Sequence, residues 1–580
     1  MRRTLQTSTL VAALVTVAAS AVAQNTGPRA YVLDQGAQTL SAVDLATGTA
    51  RQTARLEGAP MTLLRTANGQ RLVVLDRGQG RDAGDAGFQA KTKSAATILD
   101  GRTLAVQARV ELGWGLDDAP MLSVAGDRLS VLCPGYRSKT AAENLPREFV
   151  TVDLAAGKVL SRVELRREAS AYFATPDGRT GLVLSAREKP SKAPLMPAEL
   201  HFLDLTAGAI AATVPLEGDP GAPVLAPDGK FVYLLDRGKP NGNPDKNVNG
   251  KLHAVSMSTR TVAAVSDAGS NPSGLVLDQS GAQLLMLSDG APFKGPGNYE
   301  RPGELRVIRG AAPAPPIAVV GTPARVEASS DGKAWYVLGK FGVTRLTLPG
   351  LQPSSTIKAD LIGEPESAIS ADGRRGWVSL GETFRTFDLE KGVKIDDVKT
   401  GRAGKKLWLG VVSAAKTQNS MNSGRRDAEA RGRSEYSYTM YTVKPAVGAL
   451  AVAPGDKAVY VLNSMTDDLT IVDAQDGQVV KKVPAGGFAV RFMPSASVAL
   501  VVAADNIHVV DLVSHEKLPN LATDSKAEFT RAELSPDATL AVVQGASGVM
   551  VVNAAGGKLV ATVVPFKKVA DMAIDWGARR

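Results

Sequence analysis

The chain has 580 residues, of which 44% are hydrophobic and 22% are charged, and its formal net charge is +9. This length is sufficient for a large core and for more than one domain. The single cysteine, Cys133, excludes an intramolecular disulfide, so we expect apolar packing to stabilise the fold.

The first 23 residues have the features of an export signal. Arg2 and Arg3 precede an apolar stretch from Leu10 to Ala18, and Ala21-Val22-Ala23 supplies small residues at a cleavage site before Gln24. No other stretch approaches the roughly 18 apolar residues that cross a bilayer. We therefore predict a periplasmic or extracellular mature chain without membrane insertion. Export also argues against nucleic acid as a ligand.

A short apolar block recurs along the chain at intervals of about 40–57 residues. The block begins at Tyr31, Val73, Ser130, Leu182, Tyr233, Leu285, Tyr336, Val378, Tyr460, Val501 and Ala541. The interval between Val378 and Tyr460 is about twice as long as its neighbours, which predicts one degenerate unit there and about twelve units in all.

Each unit has the same internal order of strands and turns. A first apolar strand leads through a turn such as Pro176-Asp177-Gly178 into the recurring block, and a variable loop then leads to a third strand ending in Asp. An Asp-x-x-x-Gly turn, as in Asp44 to Gly48, joins it to a fourth strand. Asp can bond its own turn backbone and Gly tolerates positive φ, so both residues fit hairpins. Four short strands per unit predict an all-β fold of propeller blades.

Two units carry a family resemblance. The segments Val459 to Asn463 with Leu469 to Asp473, and Tyr31 to Asp34 with Leu40 to Asp44, resemble the YVTN-type β-propeller repeat family. The resemblance extends over nearly all of the mature chain. It implies a propeller fold and an extracellular or periplasmic binding or surface protein, without implying a particular activity.

Twelve units exceed the four to eight blades usual for one ring, which favours two tandem propellers. The mature chain opens on a second strand at Tyr31 and closes on a first strand, Val569 to Ile574. A second strand also begins near Ala334, as it does at Tyr31. We therefore predict propellers over 24–334 and 335–580, and the second contains a degenerate basic unit at 401–445. An interleaved arrangement, in which the C-terminal strand completes the N-terminal ring, stays open.

The candidate ligand site lies in long connections between second and third strands, which fall on one face of a propeller. Five successive units have such connections: Asp76 to Ser94, Cys133 to Glu148, Ser185 to Glu199, Asp236 to Gly250 and Ser288 to Gly303. The tetrapeptide Leu-Asp-Arg-Gly occurs in two of them. The candidate residues are Arg77, Arg237, Lys239, Lys246, Asp76 and Asp236. Basic side chains here could hold a carboxylate, phosphate or anionic glycan; the alternative is a solvated rim neutralised by neighbouring acids.

A second basic segment, Gly401 to Glu435, precedes an aromatic alternation from Tyr436 to Tyr441. It could dock an anionic partner, and a solvated hairpin is the alternative.

Catalytic, metal and cofactor motifs are not found. The sequence has no Gly-x-Ser-x-Gly elbow and no phosphate loop, and Cys133 has no histidine near it in sequence. Asp245 to Gly250 matches the start of a Ca²⁺ loop, but Ser256 stands where that loop needs a bidentate Glu. We therefore predict no catalytic residue, metal or cofactor.

The leading prediction is an exported, non-enzymatic binding propeller for a small anionic ligand, a glycan or an envelope protein. Two alternatives stay open. The first is a propeller lactonase or metal-dependent hydrolase, for which Asp34, Asp76, Asp236 and Asn463 are geometric candidates because each follows a second strand. The second is a cell-surface structural or adhesion protein.

Overall fold

A computed structural model describes residues 27–82, 88–90, 92–117, 119–137, 144–188, 194–239, 248–278, 281–289, 302–329, 332–339, 342–358, 367–370, 372–380, 383–400, 406–409, 439–442, 447–463, 467–521 and 528–577. The predicted export signal, most of the basic segment 401–435, and Lys246 lie outside these ranges. Within them, no helix combines the length and the apolar character needed to span a membrane.

The described regular structure consists of β-strands and two short 3-10 helices, Pro494–Ala496 and Ala555–Gly557. Eleven antiparallel sheets follow one another and form the blades of a propeller, as predicted. Strands are ordered from the first to the fourth within each blade.

Blades 1 to 4 contain the following strands. Blade 1 has β51 (Val569–Asp575), β1 (Arg29–Asp34), β2 (Thr39–Asp44) and β3 (Thr49–Arg55); blade 2 has β4 (Pro60–Arg65), β5 (Arg71–Asp76), β8 (Ala95–Asp100) and β9 (Val106–Glu111); blade 3 has β10 (Met121–Leu122), β11 (Arg128–Cys133), β14 (Glu148–Asp153) and β15 (Lys158–Glu164); blade 4 has β16 (Ala169–Ala174), β17 (Thr180–Ser185), β18 (Ala198–Asp204) and β19 (Ala209–Leu216).

Blades 5 to 8 continue the series, and the fourth strand of blade 6 is interrupted. Blade 5 has β20 (Val224–Leu225), β21 (Phe231–Asp236), β22 (Gly250–Ser256) and β23 (Val262–Gly269); blade 6 has β24 (Pro272–Leu277), β25 (Leu284–Ser288), β26 (Gly303–Arg309), β27 (Ala312–Pro313) and β28 (Ile317–Val319); blade 7 has β29 (Pro323–Ala328), β30 (Ala334–Gly339), β31 (Gly342–Thr347) and β32 (Gln352–Lys358); blade 8 has β33 (Ser367–Ile369), β34 (Arg375–Leu380), β35 (Thr383–Asp388) and β36 (Val393–Lys399).

Blades 9 to 11 complete the series. Blade 9 has β39 (Val447–Val452), β40 (Ala458–Asn463), β41 (Asp468–Asp473) and β42 (Val479–Val483); blade 10 has β43 (Ala489–Met493), β44 (Val498–Val502), β45 (Ile507–Asp511) and β46 (Lys517–Leu521); blade 11 has β47 (Phe529–Leu534), β48 (Leu540–Gly545), β49 (Gly548–Asn553) and β50 (Val560–Pro565).

The recurring apolar blocks form the second strands, as predicted. Five of the six residues of β1 are buried, and all six residues of β40 are buried. Such continuous burial is expected where both faces of a strand are covered. Here the two neighbouring blades cover them.

Apolar clusters join each blade to the next around a ring. Ten of them span the boundaries from blade 1 to blade 11 in order. One more cluster joins the last blade to the first, because Ala30 and Val32 of blade 1 pack with Val549 and Val551 of blade 11. The C-terminal strand β51 pairs with β1, so it supplies the first strand of blade 1.

The ring differs from the expected two propellers of about six units each. The apolar core continues across the boundary expected near Ala334, because Trp335 packs in one cluster with Leu285 and Leu305 of the preceding blade. The C-terminal strand completes the N-terminal blade, which is the alternative that the sequence left open, and this pairing closes the ring of eleven blades.

The twelfth unit is also missing from the described residues. Between blades 8 and 9 they contain only a two-stranded hairpin of β37 (Lys406–Leu409) and β38 (Thr439–Thr442). The sequence here is rich in basic residues, whereas a blade needs apolar side chains on both faces of its central strands.

The first strands have one edge without a strand partner, and side chains from the preceding blade bond to that edge. Asp571 Oδ2 accepts a hydrogen bond of 2.9 Å from the Leu63 N–H. Arg491 Nε donates to the Ala532 carbonyl at 3.0 Å. These bonds satisfy backbone groups that an edge strand would leave unpaired.

Candidate functional site

Blades 2 to 5 extend their connections between second and third strands as β-ribbons, on the face that the sequence predicted. The pairings are β6 (Gly80–Asp82) with β7 (Phe88–Ala90) in blade 2, β12 (Tyr136–Arg137) with β13 (Asn144–Leu145) in blade 3, Glu188 with Met196 in blade 4, and Lys239 with Val248 in blade 5. In blade 6, most of the corresponding connection lies outside the described residues. Pairing of the two arms gives each ribbon a defined base.

The Asp and Gly residues of the two Leu-Asp-Arg-Gly tetrapeptides build these bases. Asp76 Oδ1 accepts a hydrogen bond of 2.8 Å from the Gly78 N–H, and Asp236 Oδ1 accepts one of 2.9 Å from the Gly238 N–H. Both glycines have positive φ, 80° and 69°. A Cβ atom on Gly238 would lie 2.2 Å from the Val248 carbonyl oxygen of the returning arm. Glycine is therefore required for this close approach.

The second oxygen of each carboxylate is also used within the fold. Asp76 Oδ2 accepts a hydrogen bond of 3.1 Å from Arg109 Nη2, and Asp236 Oδ2 accepts one of 3.2 Å from the Asp219 N–H. A Cβ atom on Gly218 would lie 1.7 Å from Asp236 Oδ2, so the chain packs directly against this carboxylate. Asp76 and Asp236 thus position the loops that carry the candidate arginines.

The surroundings of these two aspartates differ in charge. In blade 2, Arg109 lies opposite Thr97, whereas in blade 5 the equivalent pair is Val265 opposite His253. His253 is 1% exposed, and its Nε2 atom has no hydrogen-bond partner. Burial lowers the pKa of His253, and the charge of nearby Asp236 acts in the opposite direction.

The arginine of the blade 5 tetrapeptide reaches the next blade. Arg237 is exposed, and its Nη2 atom donates a hydrogen bond of 3.0 Å to the carbonyl of Ser273 in β24. At several blade boundaries, including blades 1 and 2 and blades 6 and 7, the first strands contact one another as the inner strands of the ring, and β24 of blade 6 contacts β21 of blade 5. The Arg237 guanidinium therefore lies at the inner rim, between blades 5 and 6.

The other predicted basic residues are distributed differently. Arg77 is half-buried in blade 2, and two blades separate it from Arg237. Lys239 is exposed and lies on the same ribbon as Arg237. Of the predicted basic residues, the structure therefore places Arg237 and Lys239 together and Arg77 apart from them.

The four polar residues considered for a hydrolase lie in blades 1, 2, 5 and 9. Asp34 Oδ2 accepts a hydrogen bond of 2.8 Å from the Lys567 N–H, and Asn463 Nδ2 donates to Asp468 Oδ1 at 2.9 Å. Each of the four has such local partners, and the structure does not bring them together. Within the described ranges, no three His, Cys, Asp or Glu residues group in a way that could hold a metal ion.

One acidic residue at the inner rim, Asp289, was not among the residues predicted from the sequence. Asn271 Nδ2 donates to its Oδ2 atom at 3.3 Å, while its Oδ1 atom is buried and accepts no hydrogen bond. Burial raises the pKa of Asp289, and the Ser273 hydroxyl and the Arg237 guanidinium act in the opposite direction. A positional signal existed, because Asp289 follows a second strand by one residue, as Arg237 does.

Comparison with known proteins finds similarity only to solved structures. No known family matches the chain, and no curated protein matches it. Among solved structures, dihydro-heme d1 dehydrogenase NirN in complex with DHE is 15% identical with a TM-score of 0.34, over 65% of this chain and 72% of that one. Kuenenia stuttgartiensis hydrazine synthase is 15% identical with a TM-score of 0.27, over 72% and 96%. A eukaryotic initiation factor is 10% identical with a TM-score of 0.40, over 94% and 98%.

Proposed function

We propose that the protein is an exported binding propeller that holds an anionic ligand on the ribbon face of blades 2 to 5. Arg237 contributes most, with Lys239 beside it and Arg77 further along the face. The observation that carries the proposal is the exposed Arg237 guanidinium, oriented by the Ser273 carbonyl at the inner rim beside a series of ribbons. Loops held by a rigid scaffold are common positions for binding residues.

Export is part of the proposal and rests on the basic start, apolar stretch and small-residue site of residues 1–23. The resemblance to YVTN-type repeats, whose members are extracellular or periplasmic, supports the same location. An envelope or extracellular ligand follows from that location.

The chemistry of the site favours an anion with two oxygen atoms that one guanidinium can bind at the same time. A guanidinium binds carboxylate and phosphate through parallel N–H donors. Each charge-assisted hydrogen bond contributes roughly 1.5–3 kcal/mol. Binding of this kind weakens as salt screens exposed charges.

Titration calorimetry with citrate, inorganic phosphate and polygalacturonate at two salt concentrations tests the proposal. We expect at least one of these anions to bind, with an affinity that falls with salt and by about tenfold or more in Arg77→Ala/Arg237→Ala. A matched control is Arg179→Ala/Arg374→Ala, which removes the same charge from exposed residues in turns on the opposite face. Binding that survives the first pair but is lost on deletion of 425–433 would reject this face as the site.

A further inference from the structure

We infer that the outer edge of blade 11 binds an extended peptide segment of another protein, which adds as a fifth strand beside β50 and places one side chain in the cavity between blades 11 and 1. The peptide that fits has β-branched residues in its middle and an acidic residue at each end. Blade 11 and the Arg237 site in blade 5 are not neighbours, so the inference goes beyond the proposed function and is independent of it.

The first observation is that β50 presents an open edge without charge. It pairs with β49, and among the described residues no strand pairs with its outer side. Val560 and Val563 of β50 are 61% and 43% exposed. The fourth strands of eight other blades each contain a charged residue: β3, β9, β15, β23, β32, β36, β42 and β46. Charged residues protect edge strands from pairing, so β50 lacks a protection that most fourth strands have.

An open strand edge is complementary to another extended main chain. In an antiparallel sheet, alternate residues of an edge strand direct their N–H and C=O groups away from the neighbouring strand. A peptide can pair with these groups by β-strand addition. Four of the six residues of β50 are Val or Thr, which favour strand pairing. Pro565 has no N–H group and ends the edge, so the peptide pairs along Val560–Val564.

A cavity of about 290 Å³ lies beside this edge and can take a side chain of the added strand. It is lined by Leu45, Ala46 and Thr47 of the turn of blade 1 and by Val551, Val560 and Thr562 of blade 11. Val560 and Thr562 share one face of β50, and Val564 on the same face packs against blade 1. Directly opposite residues of adjacent strands share a face, so a peptide residue opposite Thr562 extends toward the cavity. The apolar and hydroxyl groups of the wall suit Val, Ile or Thr there.

The charges around β50 determine which peptide ends fit, and they disfavour a second copy of this chain. Residues 546–570 include three lysines, Lys558, Lys567 and Lys568, and no Asp or Glu. All three lysines are exposed, and they flank β50 at both ends. In an antiparallel pair of two copies that aligns all six residues of β50, Lys558 of each copy lies opposite Lys567 of the other, and like charges in this position are destabilising. An acidic residue at each end of a peptide meets opposite charge instead.

Selection of a displayed library of random dodecapeptides on the whole protein tests the inference. We expect enriched peptides to have Val, Ile or Thr at alternate positions in the middle, Asp or Glu toward both ends, and no Pro between them. Val560→Lys/Val563→Lys should not enrich these peptides, because charge on an edge strand opposes pairing. Loss of binding despite two added positive charges distinguishes strand pairing from simple attraction of acidic peptides.

A matched control adds the same charge to another uncharged fourth strand. Ile210→Lys/Ala211→Lys places two lysines at exposed positions of β19 in blade 4. This variant should enrich the same peptides as the wild-type protein. Peptides that are lost from both double variants would show a general effect of added charge and would overturn the inference.

The most enriched peptide then provides a quantitative probe by fluorescence anisotropy. We expect about tenfold weaker binding when its central residue is replaced by Pro, which removes a main-chain donor, and about tenfold weaker binding when its acidic residues are replaced by Lys. Ala46→Phe, which narrows the cavity from the turn of blade 1, should also weaken binding, whereas Arg237→Ala should leave it unchanged. Equal affinity for the Pro-containing peptide would exclude strand addition.

Hydrogen exchange and sedimentation complete the test. Bound peptide should slow amide exchange in Ala561–Val564; slower exchange at the Lys239 ribbon instead would place the peptide at the proposed anion site and reject the blade 11 edge. Failure of the wild-type protein to enrich any peptide over Val560→Lys/Val563→Lys would also overturn the inference. A wild-type dimer that this double variant converts to monomer would assign the edge to a second copy and reject the peptide.

Discussion

The guanidinium of Arg109 donates a hydrogen bond of 3.1 Å to the carboxylate of Asp76, whose side chain is only 4% exposed. The equivalent aspartate of blade 5, Asp236, has a valine, Val265, in the place of that arginine, and its buried neighbour is His253. The two loops share a tetrapeptide, but the aspartate at the base of one is bonded to a charged arginine, whereas the aspartate of the other lies beside a valine and a buried histidine.

The Asp76 and Arg109 pair should contribute measurably to stability. Arg109→Leu leaves a buried carboxylate oxygen without its charged donor, and we expect a loss of about 1–3 kcal/mol in the free energy of unfolding in urea. The control is Lys230→Ala, which breaks an ion pair with Asp228 between largely exposed side chains and should cost less than about 0.5 kcal/mol. Equal losses of unfolding free energy in Arg109→Leu and Lys230→Ala would contradict the structural role of Asp76.

His253 should make the fold sensitive to acid. Burial lowers its pKa in the folded protein below the ordinary value of 6.5, so the unfolded chain binds the proton more tightly. Its contribution to stability is present above pH 6.5 and is lost as the pH falls from there toward the folded pKa. Melting temperatures between pH 7.5 and 5 should decline less steeply for His253→Gln. An imidazole titration midpoint above 6.5 by NMR would show instead that Asp236 outweighs burial.

Gly238 should be far less replaceable than another glycine of similar backbone conformation. Gly238 has φ 69° and a carbonyl oxygen 2.2 Å from the position of a Cβ atom, whereas Gly229 has φ 68° and open space there. Both alanine variants carry the strain of positive φ, roughly 1–2 kcal/mol. Gly238→Ala should cost more in denaturant unfolding and should weaken anion binding at Arg237. Equal losses of unfolding free energy in Gly238→Ala and Gly229→Ala would show that the ribbon base accommodates a Cβ atom at position 238.

Asp571 should help to close the ring. Its carboxylate accepts the Leu63 N–H of the next blade at 2.9 Å, so Asp571→Ala leaves that donor unpaired, at a cost of about 1–3 kcal/mol. Asp571→Asn retains an oxygen acceptor and should recover most of the loss in a thermal melt. An asparagine variant as unstable as the alanine variant would rule out this hydrogen bond as the cause.

The sequence predicted the local features of the fold because neighbouring residues determine them. In the Asp-x-x-x-Gly turn of blade 1, Asp44 Oδ1 accepts hydrogen bonds of 2.9 Å from the Ala46 and Thr47 N–H groups, and Gly48 has φ 64°. The second strands, and the ribbon connections of blades 2 to 5, were placed from the same repeat.

Contacts between blades were not predictable in the same way. The recurring tyrosine was visible as part of the apolar block, but its hydroxyl has a separate role: Tyr31 donates to the Gly101 carbonyl of the next blade at 2.7 Å. Tyr233 and Tyr336 make the same kind of bond to Gly310 and Gly373. Partners so far apart in sequence follow from blade packing, as does the proximity of the Arg237 charge to the Asp289 carboxyl. The number of blades likewise depends on interface geometry rather than on repeat spacing.

The pairing of β51 with β1 also has a consequence for how the chain folds. Asp34 and Lys568 are hydrogen-bonded although 534 residues separate them, so β1 receives its inner neighbour only after nearly all of the chain has been synthesised. Contacts so distant in sequence form slowly, and an apolar strand with an open edge is prone to pair with other chains. The yield of folded protein therefore depends on how well β1 is kept from wrong partners during that interval, and a factor that shields Arg29–Asp34 would raise it.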